Sequence, residues 1–396
     1  MENTLRQELL KIESQNFLQV YNRLPIVVHK AEGAYIWDED GTKYLDFLGG
    51  IAVNVLGHSH PKIIEAITTQ SEKYLHLSNY FYQEAQITFA EQLTKVTNYP
   101  RVFLTNSGTE SVEGALKLIR KWGNLNNKNN IIAFEGGFHG RTYGALSLMD
   151  KPIYKSDMGP YLSGVSIIKY NSPEDLEMAV NPFTTAVFLE FLQGEGGIVG
   201  VSEKFVEKLL ELKNKYNFLI VADEVQAGMG RTGKFFSFEH YNIKPDIVLL
   251  SKGLGGGLPL GAILTTENLA NVWNKSQHGT TFGGNALSCA VGKVVLEEID
   301  NSLMQNANET GKYFLNQLNL VREEFPEKVK SVRGRGLMLG LELSFEAKLL
   351  LNELLTEKII TNATNVNVLR ILPPLIINKN DVDVFISGLK NSLKRL

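Results

Sequence analysis

Cysteine is almost absent from this chain. The single example, Cys289, cannot close a disulfide within one copy, which fits a reducing compartment. A surplus of positive charge is missing too: 40 Lys and Arg face 43 Asp and Glu, a formal net charge of -3. Without a basic excess to neutralise phosphates, general nucleic-acid binding and a membrane-surface role are disfavoured. No apolar run is long enough to span a bilayer, and MENTLRQELLKIESQNFLQV at the start carries charges where a signal peptide has an apolar block. The expectation is a cytoplasmic protein. Internal repeats are lacking. The one biased tract, NLNNKNN at 124–130, reads as a surface loop.

What is present is ordinary globular material, 43% hydrophobic and 21% charged over 396 residues, enough for a large core and more than one domain. Short β-rich runs recur through the middle: RVFLTN, NIIAFEGG, TAVFLEFLQ, FLIVADEV and DIVLLSKG. Between them ESVEGALKLIRKW and EKFVEKLLELKNKYN have helical period. This alternation predicts an α/β fold with a mostly parallel sheet, whose ligands gather beyond the carboxyl ends of the strands. Glu190, Asp223 and Lys252 fall at such ends. Near the start, GAYIWDEDGTKYLDF reads as a hairpin turning at Glu39-Asp40-Gly41. After Ser288 helical periods dominate, and SVRGRGLMLGLEL and NVLRILPPLII supply strands. The expected division is a large domain over 61–287 and a smaller α+β domain built from both ends, 1–60 and 288–396.

Lys252 stands between the apolar run IVLL and a cluster of glycines. A lone buried ammonium is costly, so a lysine there is paired, deprotonated or covalently used. NSGTES, 106–111, opens a helix after a strand, and its first turn either holds an anion or is simply capped by Ser107 or Thr109. Asp223 ends a buried strand and calls for a cation or a hydrogen-bond network, structural or functional. Gly228, Gly230 and Gly233 match G-x-G-x-x-G, but KFFSFEHYNIKPD follows instead of a helix, so a dinucleotide site is not expected. Arg141 and Arg370 lie among Gly or apolar residues, where bidentate carboxylate capture and a structural pair are both open, and Glu195 is a candidate partner. His58 and His60 lack further ligands at metal-site spacing, so no metal is expected.

A lysine able to form a Schiff base, an aspartate able to keep a pyridine nitrogen protonated and a helix N-terminus able to hold phosphate together describe one cofactor, pyridoxal 5'-phosphate. From YNRLP at Tyr21 to LRILPPL, the chain resembles the class III, fold-type I aminotransferases. The motifs LGHSHP, NSGTE, FHGRT, LQGEGG, ADEVQAGMGRTG, SKGLGGGLPLGA and TTFGGN occur in the family's order. The resemblance implies that Lys252 holds the cofactor covalently and moves a proton, while Asp223 pairs with the ring nitrogen and Gln226 meets the ring hydroxyl. It places Phe138 and Val225 on the two ring faces, Ser107, Gly108 and Thr109 at the phosphate, and Glu224 within the cofactor set. It implies a homodimer with shared sites, in which Thr281 reaches the neighbouring subunit's phosphate and Thr280 that subunit's substrate. Arg141 would bind a substrate carboxylate. Arg370 would bind the α-carboxylate of glutamate, and Glu195 would mask it in the other half-reaction. Tyr21 and Asn79 would line the substrate side. Phe191, Ala286 and Asn365 depart from residues frequent in the family (proline, proline and glycine). Asn365 still suits a positive φ. The implied partners are small amino acids and 2-oxo acids, and the implied reaction moves the ω-amino group of N2-acetylornithine to 2-oxoglutarate. Ornithine, succinylornithine, succinyldiaminopimelate and 4-aminobutyrate are alternative donors. A non-catalytic binder of the cofactor would have no need of the two arginines.

Overall fold

A computed structural model describes residues 4–396. After the helix Thr4–Asn16 the chain forms an antiparallel meander of β1 (Val28–Glu32), β2 (Tyr35–Asp38) and β3 (Lys43–Asp46). The Asp38 carboxylate makes the predicted turn by accepting the amides of Asp40 (3.1 Å) and Thr42 (2.7 Å), with Gly41 at φ +80°.

The central sheet follows. Its strands are β4 (Arg101–Thr105), β5 (Asn130–Phe134), β6 (Val165–Ile168), β7 (Thr184–Leu189), then, after a short hairpin of β8 (Leu192–Gln193) and β9 (Val199–Gly200), β10 (Leu219–Asp223), β11 (Ile247–Leu250) and β12 (Gly261–Thr265). The seven are ordered β4-β12-β11-β10-β7-β5-β6. β12 runs antiparallel to both neighbours, and the pairs from β11 to β6 are parallel. The five expected runs are β4, β5, β7, β10 and β11. β6 and β12 add to them.

Both faces of this sheet are covered, which is why its strands are continuously apolar. Leu219 and Val221 pack with Val112, Ala115 and Ile119 of the helix Gly108–Leu125. The alternate residues Ile220 and Ala222 join a second cluster with Phe205 and Leu209 of the helix Glu203–Tyr216. The side chains thus divide with a period of two. No helix follows the three glycines 228, 230 and 233 directly; a short 3-10 turn, Ser237–Tyr241, comes instead.

The last third adds β13 (Val329–Arg335), β14 (Met338–Leu343), β15 (Ile359–Ile360), β16 (Asn362–Thr364) and β17 (Val368–Ile371). Four of these make a sheet ordered β13-β14-β17-β16, while β15 pairs parallel with β3. The two ends of the chain are therefore hydrogen-bonded to each other. Among the described residues no helix is long and apolar enough to cross a membrane.

Candidate active site

The carboxyl ends of the parallel strands surround a cavity of about 400 Å³. β4 leads to Asn106, Ser107, Gly108 and Thr109, β5 to Phe138 and His139, β7 to Glu190, β10 to Asp223, Val225 and Gln226, and β11 to Ser251 and Lys252, all of which line it.

Lys252 begins a 3-10 turn after β11, in the left-handed region at φ 46°. Burial brings its pKa down to about 8, helped by Arg370 and opposed by Glu195, Asp223 and Glu190. A neutral amine, the nucleophilic form, is thus accessible near physiological pH. Asp223 lies across the cavity, its Oδ1 accepting the Val225 amide (3.1 Å) and its Oδ2 facing His139 Nδ1 at 2.7 Å. The imidazole is itself buried and meets Phe188 edge-on at 4.8 Å between ring centroids. His139 received no role from the sequence, although it stands inside FHGRT between Phe138 and Arg141.

The helix Gly108–Leu125 points its N-terminus at this cavity. Ser107 caps it by accepting the Glu110 amide at 3.3 Å. The amides of Gly108 and Thr109 fall in the first turn, where a helix offers no internal acceptor. A Cβ at Gly108 would come within 2.8 Å of Val225 Cγ1, so glycine permits the close approach of helix and strand end.

Glu224 departs from its expected place. Its neighbours Asp223 and Val225 face the cavity, so Glu224 faces away, fully buried, and takes hydrogen bonds from the Ser237 amide (2.9 Å), the Ser237 hydroxyl (2.5 Å) and the Phe238 amide (3.2 Å). Burial pushes its carboxyl up to about 8 against those bonds. Its side chain is an anchor for the 237–238 turn and not part of the cavity wall.

Arg370, on β17, is 2% exposed and paired with Glu195, with Nε on Asn362 Oδ1 (3.2 Å) and Nη1 on Gln226 Oε1 (3.3 Å). Burial works most strongly against the Glu195 carboxylate, but Arg370, through its charge and its hydrogen bond, together with Lys252 and Lys151, holds its pKa below the ordinary value. Glu195 sits in the turn between β8 and β9, where three successive carbonyls are held. Glu195 O accepts from Lys151 and Thr364 (both 2.8 Å), Gly196 O from Asn365 (2.8 Å) and Gly197 O from Arg333 Nε (2.7 Å). Asn365 has φ 49°, the backbone state expected of it. Phe191 is fully buried against Phe238 and Tyr241, and Ala286 opens the helix Ala286–Glu298 behind the cap Asn285.

Arg141 is exposed, its guanidinium 3.8 Å from the Tyr154 ring centroid, and has no carboxylate within 4.0 Å among the described residues. Thr280 Oγ1 accepts from Asn106 at 3.2 Å, at the cavity edge. Asn79 donates to Thr280 O (3.0 Å) and is bonded to Gln86, so it braces that loop and does not line the cavity. Thr281 is exposed beside Phe282. Tyr21 lies outside, on a separate cavity with Arg6, Glu13 and Leu24. His58 Nε2 bonds Asp46 at 2.7 Å, and among the described residues no three His, Cys, Asp or Glu cluster as metal ligands.

The model of the family "Aminotransferase class-III" matches residues 18–393. An acetylornithine aminotransferase of Aquifex aeolicus (strain VF5) is 44% identical over 377 residues, covering 94% of this chain and 98% of its own. The crystal structure of an acetylornithine aminotransferase from Elizabethkingia anophelis superposes with TM-score 0.90 at 32% identity, covering 100% of both chains. An ornithine aminotransferase from Toxoplasma gondii, described with partial occupancy of PLP at its active site, reaches 0.94 at 30% identity over 98% of this chain and 94% of its own. Agreement of motif order, sheet topology and near-complete sequence coverage leads to one conclusion: this chain belongs to the class-III aminotransferases.

Proposed function

We propose that this transaminase moves the ω-amino group of N2-acetylornithine to 2-oxoglutarate, yielding N-acetylglutamate 5-semialdehyde and glutamate for arginine biosynthesis. Its cofactor is pyridoxal 5'-phosphate, and the residues around the cavity fit that group. A buried amine of lowered pKa, a carboxylate braced by a histidine and a glycine-opened helix N-terminus converge on one space. When bound, the cofactor supplies an aldehyde to receive the amino group and a protonated ring to accept electrons.

In this reading Lys252 holds the cofactor covalently through Nζ and, once released by the donor, carries a proton to and from the reacting substrate carbon. Asp223 keeps the ring nitrogen protonated, with His139 fixing its orientation. The Gly108 and Thr109 amides hold the phosphate beside Ser107, aided by the helix dipole. Phe138 and Val225 enclose the ring, and Gln226 meets its hydroxyl. Arg141 clamps a substrate carboxylate. Thr281 serves the site of a second copy, with Thr280 close to that copy's substrate. We also infer a cytoplasmic homodimer, divided near residues 60 and 288 into a large domain and a small one.

The observation that carries the ω-amine class of donor is the Glu195–Arg370 pair beside Lys252 and Gln226, and N2-acetylornithine is chosen within that class on the acetylornithine aminotransferases this chain resembles. A bare arginine would favour a dicarboxylate in both half-reactions. A glutamate that covers it admits a neutral tail and yields to an incoming carboxylate. The test is a single-turnover screen of the holoenzyme with glutamate, N2-acetylornithine, succinylornithine, ornithine and 4-aminobutyrate. Acetylornithine should react with the highest kcat/KM among the ω-amines. A higher value for ornithine would overturn the assignment in favour of ornithine aminotransferase.

A further inference from the structure

Glu190 follows β7 directly, is 5% exposed, and lines the cavity without touching Asp223 or Lys252 by hydrogen bond. Its two carboxylate oxygens are divided between two loops. Oε2 accepts the amide of Phe138 (3.0 Å), and Oε1 accepts the amide of Gly194 (3.1 Å). The first amide belongs to the loop carrying Phe138, His139 and Arg141. The second belongs to the residue before Glu195. On its far side the Glu195 turn hangs by its carbonyls from Thr364, Asn365 and Arg333 of the C-terminal sheet and its connection. On the cavity side its amide hangs from Glu190.

We propose that Glu190 is a positioning residue that ties the ring-facing loop to the turn carrying Glu195, so that one buried carboxylate sets both the cofactor wall and the cover on Arg370. The idea rests on the function proposed above. Ionised, the group accepts two amide hydrogens. Protonated, one oxygen becomes a donor facing an amide N–H, and one tie is lost. Burial raises this carboxyl to about 7, against the pull of His139 and with Asp223 adding to the rise. Lys252 faces it across the cavity, and the Tyr170 hydroxyl donates to its backbone carbonyl at 2.8 Å. The tie is therefore sensitive to pH in the neutral range.

The test is Glu190→Gln, read in two ways. An amide side chain has one acceptor oxygen and presents N–H to the second amide, so one tie must break. In cofactor-free protein, amide hydrogen exchange should rise about tenfold in whichever of segments 135–142 and 192–198 loses its acceptor, the scale of one hydrogen bond to a charged group, and should not rise outside these two. In holoenzyme, the ratio of half-reaction kcat/KM between acetylornithine and glutamate should change severalfold. The wild-type ratio should drift towards that of the variant as pH falls through the neutral range, while the ratio of the variant stays flat. Exchange rising in neither segment or across the whole chain overturns the proposal, as does an unchanged ratio. Should Glu190→Gln fail to fold, Glu190→Asp, which keeps the charge but cannot span both amides, is read by the same exchange measurement and by the change in ratio at one pH. Failure of both to fold makes Glu190 a requirement of folding and overturns the tie. The exchange measurement needs neither donor nor cofactor. A wild-type enzyme inert to every donor would therefore defeat the proposed function while leaving the exchange result to decide the tie.

Discussion

Lys252 combines two costs: a left-handed backbone at φ 46° and an amine in a buried site. The second cost has a measurable signature. Its pKa is about 8 in the fold against 10.5 for the ordinary side chain. Between those values the unfolded state binds the extra proton, so stability of the cofactor-free protein rises with pH across the window. Below it both states are protonated and the penalty is fully present. The rise should amount to up to about 3 kcal/mol and should vanish in Lys252→Met, as urea unfolding at the two ends of the window would reveal. The same variant should lack transamination. Asp223→Asn should keep the fold but slow the half-reaction at least about tenfold, roughly 1.4 kcal/mol, because a neutral amide cannot hold the ring nitrogen protonated. A smaller loss in single-turnover rate would remove Asp223 from that role. The residue types and strand-end places of Lys252 and Asp223 were legible in the sequence. The orientation of Glu224 was legible in principle, since strand alternation turns it away from the face shared by Asp223 and Val225. His139 was not, because a histidine within a motif does not declare which carboxylate folding brings to it from 84 residues away.

Among the elements, the strands with clean apolar runs were readable, and so was the turn at Gly41. β12 was hidden because GAILT follows the glycine cluster of Lys252 and merges with it as one loop. Only its pairing with β4 and β11 makes it a strand. β6, four partly exposed residues at the sheet edge, had too little apolar signal. Gly311 shows how packing overrides propensity. It lies inside the helix Met304–Glu324, where alanine is ordinarily favoured by about 1 kcal/mol. A Cβ there would fall 2.3 Å from the carbonyl oxygen and 2.4 Å from the carbonyl carbon of Gly336. Backbone cannot rotate aside, so overpacking of about 1–3 kcal/mol should exceed the propensity gain. Gly311→Ala is expected to lower the unfolding midpoint, and an unchanged or raised midpoint would show that the helix shifts freely over that turn.

For the whole molecule, the surface around Thr281 bears on assembly. Tyr80, Phe81, Tyr82 and Phe282 are exposed, and Asn79 bonds the first loop to the second. Exposed aromatics so grouped mark an interaction surface, and on the proposed function a second copy covers it. A mixed dimer of Thr281→Ala with Lys252→Ala tests the sharing. The Thr281→Ala chain supplies one intact lysine and the Lys252→Ala chain one intact threonine to the same site, while the other site is doubly damaged. About half the wild-type activity per dimer should return if the sites are independent, whereas no recovery would place Thr281 in its own chain's site. The clamped turn of Glu195 has a further consequence, in time. Three successive carbonyls of that turn are held by Lys151, Thr364, Asn365 and Arg333. On the proposed function, uncovering Arg370 would then take rotation about the side-chain bonds of one glutamate while the backbone of the turn stays held. Glu195 is held by its ion pair with Arg370, so that rotation is slower than the flip of an exposed side chain, yet it displaces far less of the chain than a domain closure of microseconds to milliseconds. In that reading, alternation between the two donors is an event of one side chain and needs neither loop nor domain closure.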